Sequence, residues 1–227
     1  MNYKLENWLI EGYPSLFEMT DKEIKAINSR EKFPCRSGWF LIISTVFELL
    51  VKRSSEVKIN QVEETYGFLL VTFSNYQNKD YDYIFGVCNM AYALSEITCE
   101  ICGQQGSMFT GQHVTARCKL HNGLSLRDQE DGVLDNLPFR VDNLGDRWYQ
   151  MVVTLYEKIL MHQKCNEMPE VTITQVEKAN GKLVIGYYGG DESTQGMIEL
   201  LQAYSMKIND NTGKVLSRIE YENLLSI

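Results

Sequence analysis

The chain has 227 residues, 44% of them apolar and 23% charged, a balance that allows a sizeable core and excludes wholesale disorder. Its formal net charge of −8 and pI of about 5.0 exclude a general phosphate-binding face, which needs clustered Lys and Arg. They give a weak preference for a basic protein partner. The longest apolar run, residues 39–43, is too short to span a bilayer, so no membrane partner is expected.

The opening MNYKLENWLIEGYPSLF has no apolar stretch behind a basic head, so no secretory signal is expected. The six cysteines, Cys35, Cys88, Cys99, Cys102, Cys118 and Cys165, then read as reduced thiols or metal ligands in a cytoplasm rather than as a disulfide framework. Residues 1–35 are expected to add a helix packed on the outside. Next, Trp39, Ile42, Ile43, Val46, Phe47 and Leu50 recur at helical spacing and mark a core-facing stripe. Alternation over 57–64, a turn at Gly67 and an apolar strand over 68–74 predict a hairpin. A second helix is predicted over about 81–97, with Ile84, Val87, Cys88, Ala91 and Leu94 inward.

The same order recurs downstream. VKINQVEETYGFLLVTF (57–73) and VTITQVEKANGKLVIGY (171–187) share seven of 17 positions, where chance gives roughly one. The identities are Val57/Val171, Ile59/Ile173, Gln61/Gln175, Val62/Val176, Glu63/Glu177, Gly67/Gly181 and Leu69/Leu183. Upstream, WFLIISTVFELL parallels WYQMVVTLYEKI; its stripe is Trp148, Met151, Val152, Leu155, Tyr156 and Ile159. Downstream, Gly86, Ala93, Ser95 and Gly103 fall on Gly196, Ala203, Ser205 and Gly213, and the counterpart helix is predicted over about 193–206. Such self-similarity reads as a duplication. A lone hairpin is marginal in water, so the expected fold is α+β. It has two pseudo-symmetric helix–hairpin–helix units sharing one antiparallel sheet under four helices. The expected division is an N-terminal extension (1–35), unit one (36–106), a zinc knuckle after it (99–121), an acidic linker (122–144) and a degenerate unit two (145–227).

The knuckle is CEICGQQGSMFTGQHVTARCKLH, residues 99–121. Cys99-x2-Cys102 followed by Cys118-x2-His121 is a strong zinc signal, because a two-residue gap lets both members of a pair reach one tetrahedral ion. His113 is a possible substitute ligand. Three thiolates and one imidazole leave no open position, so the zinc is expected to be structural. Glu100, between two ligands, is expected to face solvent, and the deaminase pattern is absent. Arg117, Lys119 and Glu100 give the segment one net positive charge, which is no phosphate-binding face. At the aligned places of unit two, Asn209 and Thr212 replace Cys99 and Cys102, in a turn suited to side-chain hydrogen bonds and a left-handed Gly.

SGWFLIISTVFELL, VKINQVEETYGFLLVTF and ALSEITCEICGQQG together resemble a group of small, mostly uncharacterised proteins of phages, prophages and bacteria. Those carry a Gly-Trp-Phe helix, a Val-Lys-Glu-Lys-Phe-Gly-Gly-Leu-Arg-Phe-Tyr hairpin and a Cys-Glu-Val-Cys-Gly-x-x-Gly knuckle. The resemblance rests most on Gln61-Val62-Glu63, Gly67, Leu69 and Cys99 to Gly103; it departs at Leu70, where the group often has Arg. It implies a zinc knuckle and a cytoplasm, bacterial or of a phage host, and no established activity.

No catalytic constellation emerges. Cys35 precedes Arg36, but a phosphatase loop needs Arg six residues after the Cys, and position 41 is Leu. His162 falls at a helix end, where a cation suits the dipole. GYYGGDES lacks the Lys-Ser/Thr of a phosphate loop. Cys88 and Cys165 read as core or surface thiols. Between Asn122 and Asp146 stand six acids and two bases, a net −4 over 25 residues. That run reads either as a solvated connection or as a docking face for a basic partner through Asp128, Glu130, Asp131, Asp135 and Asp142. The sequence thus points to a non-enzymatic, zinc-stabilised inhibitor of another protein, of the toxin-immunity or phage anti-defence type. A nucleic-acid-binding regulator using the knuckle is the alternative.

Overall fold

Residues 1–17, 32–75, 80–110, 113–122, 137–166 and 169–216 are described by a computed structural model. Helix α1 (Tyr3–Gly12) starts at Asn2, whose side chain accepts from the Lys4 N–H. It buries Leu9 and Ile10 and sets Trp8 edge-on to Phe40, ring centroids 5.4 Å apart. Helix α2 (Phe40–Arg53) follows a short 3-10 turn. The whole stripe from Trp39 to Leu50 is buried, because its spacing puts those side chains on one face.

Strands β1 (Val57–Thr65) and β2 (Phe68–Asn75) form the first hairpin. Its tip is Tyr66 at φ 53° and Gly67 at φ 84°, consecutive left-handed residues that match the strands' twist. Helix α3 (Tyr81–Glu96) buries Ile84, Val87, Cys88, Ala91 and Leu94. Next come β3 (Ser107–Thr110), β4 (Val114–Arg117) and the single turn α4 (Lys119–Asn122). Strand β5 (Arg140–Asp142) precedes α5 (Asp146–Asn166), β6 (Val171–Ala179), β7 (Lys182–Gly189) and α6 (Glu192–Ser205).

The order α2-β1-β2-α3 therefore returns as α5-β6-β7-α6. Details return with it. A bulge lies between Ile59 and Gln61 in one hairpin and between Ile173 and Gln175 in the other. Asn180 (φ 51°) and Gly181 (φ 73°) repeat the left-handed tip. Isolated bridges close the turn after each second helix, Thr98 to Gln105 and Ile208 to Val215.

The fold is α+β, but among the described residues the hairpins do not share a sheet. The β1–β2 and β3–β4 hairpins are separate two-stranded sheets, and β5–β6–β7 is a third. Two features explain this. The outer edge of β6 is taken by β5, which runs parallel to it from within the expected linker. The helical layers also meet directly, at a crossing of α3 and α6. A Cβ on Gly86 would lie 2.0 Å from the Ser193 carbonyl oxygen, and one on Gly196 would lie 2.2 Å from that of Tyr83. Only glycine lets the two backbones approach so closely. Around this joint one apolar cluster runs from Leu9 to Ile208. Ion pairs brace its margin: Arg53 to Asp80 (2.7 Å) and to Glu192, and Lys207 to Glu48 (3.1 Å).

Candidate metal centre

The end of α3 delivers the first two donors. After Thr98 the chain turns tightly: the Cys99 N–H donates to the Gln104 carbonyl (2.8 Å), and the Gly103 N–H donates to the Cys99 carbonyl (2.9 Å). Gly103 takes φ 75° to close the turn. The β3–β4 hairpin then returns the chain, and the Glu100 N–H donates to the Ala116 carbonyl at 3.0 Å. Ala116 of that hairpin is buried. Cys118 follows β4, and its carbonyl accepts from the His121 N–H at 3.0 Å, so the one-turn α4 brings the fourth donor round.

The donor atoms converge. Cys102 Sγ is 3.7 Å from Cys118 Sγ; His121 Nδ1 is 3.4 Å from Cys99 Sγ and 3.2 Å from Cys118 Sγ. All four lie within 4.8 Å of one another. Tetrahedral bonds of about 2.3 Å to sulfur and about 2.0 Å to nitrogen would set S···S at about 3.8 Å and S···N at about 3.5 Å. The four residues fit one such metal ion. His113 is exposed at the start of β4 and lies outside the group. Cys99 and Cys118 are buried, Cys102 is half-buried and His121 exposed.

Supporting contacts surround the turn. The Trp39 indole N–H donates to the Thr98 carbonyl (3.0 Å), and the Gly38 N–H donates to the Glu100 carbonyl (2.8 Å). A side chain at Gly38 would meet the Cys99 carbonyl at 2.2 Å, so glycine is what lets the turn sit on the start of α2. Arg147, at the start of α5, donates to the Ile97 carbonyl (2.6 Å) and to Thr98 Oγ1 (2.7 Å).

Glu100 does not face solvent as its position suggested. It is 3% exposed and pairs with Arg117 at 2.7 Å and Arg36 at 3.5 Å. Burial raises its carboxyl pKa, and the two guanidiniums only partly offset that. These side chains, with Glu64, Tyr66 and His113, line a cleft of about 1040 Å³. Neither Arg147 nor the Glu100 pairing was read from the sequence. The one available signal was the opposite charge of Glu100 and Arg117 in a knuckle whose only other charged side chain is Lys119.

In the second turn a polar ring replaces the thiols, as its sequence suggested. Asn209 Oδ1 accepts from the Asn211 N–H (3.1 Å), the Thr212 N–H (2.9 Å) and the Thr212 hydroxyl (3.0 Å), and Gly213 sits at φ 66°.

Of the acidic residues read as a docking face, Asp128, Glu130, Asp131 and Asp135 lie outside the described residues. Asp142 is on β5, paired with Arg140 of the same strand at 2.6 Å. His162 stands near the end of α5, as its position suggested, and is 8% exposed. Its Nε2 meets Asp191 Oδ2 at 3.0 Å and its Nδ1 meets the Asn166 amide at 2.9 Å. Asp191 is the N-cap of α6 and joins Thr194 in a capping box, so this His–Asp pair ties a helix start to α5. Cys35 is 7% exposed; Cys88 is buried, its thiol pushed up to about 12 by burial; Cys165 is exposed. Among the described residues no helix is long and apolar enough to cross a membrane.

The fold and site thus define an α+β protein whose Cys3His cluster can hold a metal ion. No protein-family model, no curated protein and no solved structure matches the chain.

Proposed function

We propose that this chain is a zinc-stapled, non-enzymatic interaction protein that blocks a basic protein, in the manner of a toxin-immunity or phage anti-defence inhibitor. The observation that carries the reading is the closed donor set. Three thiolates and an imidazole at mutual distances suited to a tetrahedron favour zinc. They also leave that zinc no corner for water or substrate, so it supplies rigidity rather than Lewis acidity. Cys99, Cys102, Cys118 and His121 would hold the ion, clamping the end of α3 to α4.

The partner reading draws on charge. The chain carries −8, and Arg117, one of two basic side chains in the knuckle, is turned inward onto Glu100. That speaks against phosphate contact by the knuckle. Exposed aromatics, Trp8 (47%), Tyr66 (80%) and Tyr81 (46%), are the side-chain types that anchor protein interfaces. The recurring bulge, left-handed tip and closing bridge support descent of the two units from one duplicated ancestor, of the phage, prophage and bacterial group that the first unit resembles.

Co-expression with the product of an adjacent reading frame tests this. A basic nuclease or defence enzyme that loses toxicity and co-purifies, with an association rate that falls as salt rises, supports inhibition. A chain that stays monomeric, captures no basic candidate and gives no protection refutes it. Salt-dependent retention of DNA or RNA near physiological ionic strength would replace it with the regulator reading.

A further inference from the structure

Arg147 is 0% exposed, and among the described residues no carboxylate pairs with it. An unpaired buried charge is strongly unfavourable unless something else compensates it. Burial lowers its pKa, with Tyr204 partly opposing. Its donors go to the Ile97 carbonyl, Thr98 Oγ1 and Gln150 Oε1 (3.0 Å), while its Nε has no acceptor. Ile97 is the C-cap of α3, the negative end of that helix, which suits a cation. The next residue after Thr98 is the first metal ligand. Zinc with three thiolates and a neutral imidazole carries a net charge of −1, a second compensating charge at the same helix end.

The repeat sharpens the point. Arg147 directly precedes Trp148, as Gly38 directly precedes Trp39. In the first unit that place is glycine, and the turn's backbone fills it. In the second the Arg147 stem lies against Gly213, where a Cβ would meet it at 3.2 Å, and its head crosses to the first unit. The unit without thiols thus supplies a side chain to the base of the unit that has them.

We propose that Arg147 is a positioning residue for the metal centre: from the second unit it holds Ile97 and Thr98 in front of Cys99, so that metal affinity depends on how the two units dock. The proposal rests on the zinc reading above and adds that the second unit tunes the site. Its probe is Co²⁺, read by the visible bands of tetrahedral thiolate coordination and titrated against a chromophoric chelator. Thermal unfolding of each metal-loaded variant is measured beside it. Arg147→Met is expected to weaken binding about 10-fold, the low end of the loss when a hydrogen-bond partner of a ligand is removed, because Arg147 reaches Cys99 only through Thr98. Arg147→Lys, which keeps the charge, is expected to recover part of it. Lys207→Met breaks a different buried contact between the units, Lys207 to Glu48; it is expected to lower stability while leaving Co²⁺ affinity within about twofold, below the loss expected of Arg147→Met.

If Arg147→Met fails to fold, Thr98→Val removes one acceptor of the guanidinium and is expected to weaken Co²⁺ binding in the same direction. Equal loss of affinity in Arg147→Met and Lys207→Met would overturn the proposal, since the effect would then be general loosening. So would unchanged binding in Arg147→Met or Thr98→Val. Absence of tetrahedral thiolate bands in the unaltered chain would instead sink the zinc reading before any variant is compared.

Discussion

Replacing Gly86 by alanine puts two effects of opposite sign against each other. In a helix interior alanine is favoured over glycine by about 1 kcal/mol. At this crossing, however, the new Cβ would lie 2.0 Å from the Ser193 carbonyl oxygen and 2.7 Å from its Cα, both backbone atoms. Cβ contacts below 3.0 Å essentially do not occur, so α3 and α6 must separate by about 1 Å along a fully buried seam. Overpacking of this kind costs about 1–3 kcal/mol and occasionally more. It also opens gaps beside Ile84, Val87 and Met197, which are 0% exposed. A clash with backbone atoms this deep belongs at the upper end of that range, so the overpacking is expected to win and leave Gly86→Ala net destabilised by about 1–2 kcal/mol. For a chain of this size that lowers Tm by roughly 2–8 °C. Gly196→Ala, at 2.2 Å from the Tyr83 carbonyl, is expected to do the same. The double variant should fall short of the sum, because helices already spread accept the second methyl more easily. Calorimetric melting of metal-saturated protein reads the shifts. Gly12→Ala, in α1 with nothing within 4 Å, is the control and is expected to be neutral or slightly stabilising. A Tm for Gly86→Ala and Gly196→Ala that matches or exceeds the Gly12→Ala value would refute the close crossing.

Three further outcomes follow from the site and its surroundings. Elemental analysis is expected to find one zinc per chain, lost in Cys99→Ser and His121→Ala and retained in His113→Ala; loss in His113→Ala would mean the wrong imidazole has been assigned. Asp191→Ala removes the N-cap of α6 and leaves buried His162 without its carboxylate, so a cost of about 1–2 kcal/mol is expected in denaturant titrations. Burial alone would raise the Asp191 pKa, but hydrogen bonds from His162 and Thr194 lower it. Its contribution is therefore present above about pH 4, the unfolded value, and is lost as pH falls through the depressed folded value. An acid limb of the stability curve identical in wild type and Asp191→Ala would contradict that sign. With zinc bound, a thiol reagent at neutral pH is expected to find Cys165 first and to spare Cys88, which is buried and has its thiol pushed up to about 12. Fast labelling that persists in Cys165→Ser would refute this.

Periodicity reports which face of an element is buried, and that is why the stripes of α2, α3 and α5 are legible in the sequence. The turns at Gly67 and Gly181 were legible too, and each glycine takes a positive φ there. So was the spacing of the four donors, because a two-residue gap is a local constraint. What periodicity omits is the identity of the opposing surface. Two hairpins with matching apolar patterns read equally well as neighbours in one sheet or as strangers joined through helices. Gly86 and Gly196 were visible as an aligned pair, yet nothing local distinguished a helix crossing from chance. Strand β5 was hidden because Arg140–Asp142 is three residues long and its partner β6 lies 35 positions away.

Charged residues were the least legible for a related reason. Glu100 and Arg147 look like surface side chains, because in most sequences such residues are solvated. Both are instead spent on the base of the metal turn, one through Arg117 and Arg36, the other through Ile97 and Thr98. Their burial is affordable only where backbone carbonyls, helix ends or opposite charges converge, and convergence is a property of tertiary structure alone. On the proposed reading, Arg147 lets the segment from α5 to α6, whose turn carries Asn209 and Thr212 rather than thiols, bear on the metal turn by holding the end of α3.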